Sequence, residues 1–218
     1  MSALTKPADH FPSSDDAKPV LYSSCMSSCS WRVRIALGLK GIPYDIKTDC
    51  KSSEYKEVNP MQQVPALCID GHTLCDSVAI MQYLDETRPQ HPLLPQDPYK
   101  RAKVLQIVHI ICSGIQPLQN TCVLARVGEE ESLEWAQHWI SRGFDALEKV
   151  LSESSGKFCM GDEISMADCC LVPQVFNARR YQINLDLYPT IQRLDHGLGT
   201  NTTIRACHPY NQPDYLQK

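Results

Sequence analysis

The run "RPQHPLLPQDP" constrains the fold more than any other feature, because it sets Pro89, Pro92, Pro95 and Pro98 three residues apart. Proline has no backbone N–H and fixes its own φ, so such a run is neither a helix interior nor a central strand. It predicts a linker over residues 89–98 that divides the chain into two segments. Upstream, the elements are short and mixed. "PVLYSS" predicts a strand, "SCSWRVRIALGLKG" a helix stopped by Gly41, and "IPYDIKT" a second strand. A β-α-β order implies parallel pairing of its strands. After a short polar segment, "VPALCIDGHTLC" predicts two strands joined at Asp70-Gly71, a pair suited to the positive φ angles of a tight hairpin. "DSVAIMQYLDETRP" then predicts a helix, capped by Asp76 or Ser77 and ended ahead of Pro89.

Downstream the period is helical. Val104, Val108, Ile111, Ile115, Leu118 and Cys122 recur at three or four residues, as do Leu133, Ala136, Ile140, Phe144, Leu147 and Leu151. A third helix is expected at "SMAD", where Ser165 and Asp168 have capping-box spacing and Ile164 suits a hydrophobic staple. A fourth is expected from Pro189. The fold class is therefore an α/β thioredoxin-like domain over residues 19–88, followed by an all-α domain over residues 99–218.

A chain of 218 residues is long enough to bury a large core. Its 21 basic and 25 acidic residues include no long basic run, which argues against nucleic acid and against an anionic membrane surface as partners. The longest apolar stretch, "VLQIVHIICSGI", is too short and interrupted to span a bilayer. The opening residues are polar and contain acids, and are expected to form a tail over residues 1–18 on a cytoplasmic protein. Eleven cysteines, odd in number and without a C-x-x-C pair, read as reduced thiols, most of them small buried hydrophobes, rather than as disulfides or a structural metal site.

Four stretches, "SSCSWRVRIAL", "NPMQQVPAL", "SGIQPLQN" and "GDEISMADCCLVPQVFNARRY", occur in that order. Through them the chain resembles the glutathione transferases, and within them the zeta class, also known as maleylacetoacetate isomerases, from about Pro19 to Asp214. The resemblance implies the glutathione transferase fold, glutathione as cofactor and a homodimer. It implies glutathione-dependent cis–trans isomerisation of maleylacetoacetate to fumarylacetoacetate in phenylalanine and tyrosine breakdown. Activity toward other small electrophiles, such as α-haloacids, is implied as well. Substrates would thus be small dicarboxylates or α-haloacids.

The stretch "SSCMSSCSWRVRIAL" contains SSC twice, and only the second copy, Ser27-Ser28-Cys29, abuts the helix start. Unpaired N–H groups there favour a thiolate. Lowering a thiol from its usual pKa of about 8.5 by about two units needs roughly 2.7 kcal/mol. A helix end gives roughly 0.3–1 kcal/mol and a hydrogen bond to a charged group roughly 1.5–3 kcal/mol, so a hydroxyl donor is needed as well. Taken locally, the triplet is equally an N-cap beside a buried cysteine. By the resemblance, Ser27, Ser28, Cys29, Ser30, Trp31 and Arg32 contribute to glutathione binding, with Ser28 as the donor. Cys29 is open to three roles: assisting catalysis, forming a mixed disulfide with glutathione, or lining the site. Cys25 and Cys29 could pair only if the turn brings them together.

The resemblance also assigns Val64, held by a cis Pro65, to the cysteinyl backbone of glutathione. Asp76 and Ser77 are assigned to its γ-glutamyl end, with aspartate standing where zeta enzymes have glutamine. Gln116 and Asn120, four apart on one helix face that Pro117 kinks, are placed at the cleft. Arg180 is assigned to a substrate carboxylate, although a basic residue at a helix C-terminus is equally explained by the helix dipole. The loop after the second strand, with Lys51, Ser52 and Ser53, is several residues shorter than the zeta pattern. Two other functions stay open: a general conjugating or thiol-exchanging transferase working through Cys29, and a non-catalytic protein of the same fold.

Overall fold

The computed structural model describes residues 18–216, so the tail expected over residues 1–18 lies, apart from Lys18, outside the described residues. The first half runs β1 (Val20–Tyr22), α1 (Ser28–Leu39), β2 (Asp45–Lys47), α2 (Ser53–Val58), β3 (Ala66–Ile69), β4 (His72–Cys75) and α3 (Ser77–Thr87). The second runs α4 (Pro98–His109), α5 (Thr121–Val127), α6 (Glu129–Ser154), α7 (Met166–Arg180), α8 (Pro189–Gly199), α9 (Thr202–Ala206) and α10 (Pro213–Leu216). The sheet order is β2-β1-β3-β4, with β1 and β2 parallel and the remaining neighbours antiparallel. A thioredoxin-like domain is therefore followed by helices alone, as the sequence predicts.

Local chemistry explains the element ends. Gly41, at φ +66°, lets the chain leave α1 with the Ile42 N–H donating back to the Leu37 carbonyl at 3.0 Å. Asp70 and Gly71 both take positive φ, 52° and 72°, in the tight turn between β3 and β4. At the start of α7 the Asp168 carboxylate accepts from the Ser165 N–H at 2.8 Å and from the Cys159 N–H at 2.9 Å. Burial is the main influence on Asp168 and raises its pKa, with those bonds acting against it.

Helix α1 shows no apolar stripe because it is buried nearly all round, packed against α3 on one side and α7 on the other. The proline run carries no regular element between α3 and α4, and it is firmly tied. Leu93 and Leu94 are buried, and their N–H groups donate to Asp85 at 2.6 and 3.1 Å. Asp85 in turn pairs with Lys40 at 2.9 Å in a nearly dry setting.

Two expectations are corrected. The polar segment after β2 is not all loop, because Ser52 accepts from the Tyr55 N–H and starts α2. The helix expected from Val104 through Cys122 is not continuous either. After α4 the chain widens into a π turn at Ile110–Ile115, tightens into a 3-10 turn at Gln116–Gln119, and restarts as α5 behind Asn120. Pro117 offers no N–H to the regular helical ladder, and Asn120 leaves helical geometry at ψ 141° to cap α5. The π turn seats on α6 at Gly143, where a Cβ would stand 2.2 Å from Ile115 Cγ1. Among the described residues no single helix is long and apolar enough to cross a membrane.

Candidate active site

A cavity of about 510 Å³ lies between the two halves. Its floor is the start of α1, one wall is the turn before β3 together with the start of α3, and the other is the π turn through the start of α5. A space of this size suits a small organic ligand.

At the floor, the Ser27 hydroxyl accepts from the Ser30 N–H at 3.2 Å, and no backbone carbonyl takes the N–H groups of Ser28 and Cys29. These are the free donors of a helix start. Cys29 faces the cavity, whereas Ser28 is buried and is not among the lining residues. Burial is the largest influence on Cys29 and raises its thiol above the ordinary pKa, partly countered by Arg32 and by the Ser28 hydrogen bond.

The two arginines of "WRVR" turn in different directions. Arg34 donates to the Ser23 hydroxyl at 3.0 Å, the Ser24 carbonyl at 3.2 Å and the Cys25 carbonyl at 3.0 Å, so the first SSC copy is a buried structural loop pinned by its own helix. Arg32, 2% exposed, lines the cavity. Its Nη1 donates to Ser77 Oγ at 3.1 Å and to Cys29 Sγ at 3.5 Å, while Nε and Nη2 have no partner. Burial works to lower the guanidinium pKa, but Cys29, Cys112, Cys170 and Asp76 outweigh it and hold the group above its ordinary value. A fixed, dry cation thus stands in the cavity wall beside the start of α1.

The first wall is held by hydrogen bonds from α2. Tyr55 Oη and Asn59 Nδ2 both donate to the Gln63 carbonyl, each at 2.6 Å, and the next peptide, Val64-Pro65, is cis. Val64 lines the cavity, and among the described residues no other group takes up its N–H or C=O. Asp76 adopts φ +75° and its Oδ1 accepts from the N–H groups of Val78 and Ala79, capping α3. Because the Ser77 hydroxyl oxygen accepts from Arg32, its own proton remains available to a ligand.

The structure brings together Cys29, Arg32, Val64, Asp76, Ser77, Gln116 and Asn120. Gln116 and Asn120 arrive through the broken helix rather than along one helix face. Ser27 serves as an N-cap, Ser30 is fully buried, and Trp31 packs edge-on against Phe176 and His208. Arg180 is exposed at the end of α7, outside the cavity lining, beside Arg179, which pairs with Asp195 at 2.6 Å. None of Lys51, Ser52 and Ser53 reaches the lining. Sequence reasoning missed Asn59, Met61, Gln63, Cys75, Cys112, Cys122 and Val123 as lining residues. Among the described residues no cluster of three or more His, Cys, Asp or Glu is arranged to hold a metal.

A thioredoxin-like domain offering a helix start and a cis-proline turn across a cleft from an all-helical domain is the architecture of the glutathione transferases. The Glutathione S-transferase N-terminal domain model matches residues 21–92, and the C-terminal domain model residues 136–199. The chain is 67% identical over 210 residues to probable maleylacetoacetate isomerase 2 of Drosophila melanogaster, covering 93% of this chain and 92% of that protein. The maleylacetoacetate isomerase structure from Anaeromyxobacter dehalogenans, with bound GSH in its active site, superposes with a TM-score of 0.84 at 40% identity, over 91% of this chain and 98% of that one. A bacterial zeta-class maleyl pyruvate isomerase superposes with a TM-score of 0.85 at 37% identity, over 89% and 99%. The chain belongs to the glutathione transferase family, within the zeta class that contains the maleylacetoacetate isomerases.

Proposed function

We propose that the protein is a glutathione-dependent cis–trans isomerase that converts maleylacetoacetate to fumarylacetoacetate in phenylalanine and tyrosine catabolism. The observation that carries this reading is the buried Arg32 guanidinium in the cavity wall, beside the free donors of the α1 start. When bound, glutathione supplies a thiolate that adds reversibly to the cis double bond, so that rotation before elimination gives the trans isomer.

The protein's own groups fit that cofactor. Ser28, the first N–H groups of α1 and Arg32 would stabilise the sulfur as an anion. Val64 would pair its N–H and C=O with the cysteinyl backbone, as an added strand does. Asp76 would accept from the γ-glutamyl ammonium while Ser77 donates to the adjoining carboxylate. Gln116 and Asn120 would close the opposite wall, and Arg180 is the proposed holder of a substrate carboxylate. Enolate charge on the substrate would be stabilised by the same donors. Activity toward small α-haloacids, a cytoplasmic location and a homodimer complete the proposal. For the dimer, Met61 and Tyr99, at 73% and 72% exposure, are apolar surface that a second copy could cover.

Calorimetric titration with reduced glutathione tests the binding half of this reading. The protein should bind it and Ser77→Ala should bind it more weakly; absence of binding by the unaltered protein would refute it.

A further inference from the structure

The cavity holds a second thiol site. Cys112, on the π turn opposite the α1 start, lines the cavity, and its Sγ lies 3.7 Å from Sγ of Cys170, which is fully buried on α7. A π turn shifts the side chains that follow it out of the regular helical register, and such turns recur at functional sites. Here it brings a cavity-facing sulfur against a buried one. The third participant is Arg32, a buried residue that lines the same cavity.

We propose that Cys112 is a covalent thiol–disulfide exchange site for small disulfides of the glutathione type, with Cys170 as its resolving thiol. The clause that names glutathione rests on the cofactor reading above; the thiol pair itself does not.

The chemistry balances with oxidised glutathione as the oxidant. The Cys112 thiolate attacks one sulfur of the disulfide, forming a Cys112–glutathione mixed disulfide and releasing one glutathione thiolate, which takes up the proton that Cys112 gave up. The Cys170 thiol then attacks the Cys112 sulfur, its proton passing to the second departing glutathione thiolate. The protein gains one S–S bond and loses two thiol protons. Oxidised glutathione is reduced to two molecules of glutathione.

Three observations favour Cys112 over Cys29 for the first step. Cys112 is a lining residue of the cavity and its thiol donates to the buried Cys170 sulfur 3.7 Å away. The contact with Cys170 is the largest influence on Cys112 and lowers its pKa; burial opposes this and Arg32 adds to it. Cys29 is pushed the other way by burial. Cys170 itself is raised well above the ordinary thiol range, first by burial and then by its partner.

The test is site-resolved mass mapping of the full-length protein after exposure to oxidised glutathione, and in parallel to dithiodipyridine, a disulfide that needs no glutathione site. The unaltered protein should form a Cys112–Cys170 crosslink. In Cys170→Ala the mixed disulfide should accumulate at Cys112, and in Cys112→Ala the crosslink should be lost, with Cys29 reacting at least about tenfold more slowly than Cys112 does in the unaltered protein. Circular dichroism of each variant confirms that it is folded. First modification at Cys29, or a Cys112 inert to both reagents in the folded protein, would overturn the proposal. A crosslink produced by dithiodipyridine but not by oxidised glutathione would support the thiol pair while overturning its assignment to glutathione.

Discussion

Replacing Arg32 by methionine separates catalytic from structural roles of a buried charge. Only Nη1 of Arg32 has partners, Ser77 Oγ at 3.1 Å and Cys29 Sγ at 3.5 Å; Nε and Nη2 are buried with none. A desolvated cation with unmade hydrogen bonds contributes little to stability, and exchanging such charges for apolar groups of similar volume is often neutral or stabilising. Arg32→Met should therefore melt at the same temperature as the unaltered protein or higher. Its effect on the bound thiol is the opposite. One hydrogen bond to a charged group contributes roughly 1.5–3 kcal/mol, and a pKa unit corresponds to about 1.4 kcal/mol, so the pKa of bound glutathione should rise by about 1–2 units. Ultraviolet absorbance of the thiolate, titrated against pH in the binary complex, reads that shift directly. Isomerase kcat/KM at neutral pH should fall by roughly 10–100-fold and converge on the unaltered protein above the new pKa. An unchanged thiol pKa, or a large loss of melting temperature without a pKa change, would refute the assignment of Arg32 to the thiolate.

Ser28→Ala should lower isomerase kcat/KM by roughly 10–100-fold, since it removes one donor to the anion, while Cys29→Ala should have the smaller effect; the reverse order in steady-state assays would favour chemistry through Cys29. Asp85→Ala leaves the buried Lys40 ammonium without its carboxylate and the Leu93 and Leu94 N–H groups without an acceptor, a loss of roughly 3–5 kcal/mol that urea unfolding should report. His208 is packed edge-on against Trp31, Phe176 and Tyr210, its Nδ1 accepts from the Tyr210 N–H, and burial, then Arg34, lowers its pKa. A depressed folded-state pKa gives stability that is present above the unfolded value, about 6.5, and lost as pH falls through the folded one. The melting temperature of the unaltered protein should accordingly fall more steeply on acidification below about pH 6.5 than that of His208→Asn, and identical slopes would contradict this.

Most elements were legible because each carries a local signature: Gly41 after α1, Asp70-Gly71 between β3 and β4, Ser165 and Asp168 at the start of α7. Helix α2 was not, since six residues are too few to show a period. The break between α4 and α5 was half legible. Pro117 signals a kink, but the π turn before it follows from packing against Gly143, which no local pattern expresses. At the site, the helix-start triplet, Val64 and the Asp76-Ser77 pair carried recognisable motifs. The separate fates of Arg32 and Arg34 did not. Resemblance singles out Arg32 but says nothing of Arg34, and the burial of α1 between α3 and α7 sets one guanidinium in the cavity wall and the other under the Ser23–Cys25 loop. Cys112 was equally hidden, being one cysteine among eleven until the π turn sets it against Cys170.

The central claim is that this cavity isomerises a cis double bond by means of glutathione. The most direct measurement is the rate of maleylacetone isomerisation by the full-length protein, with and without reduced glutathione. A rate that depends on glutathione, saturates with it and leaves it unconsumed is the predicted result. A folded, glutathione-binding protein that shows no glutathione-dependent rate would contradict the account.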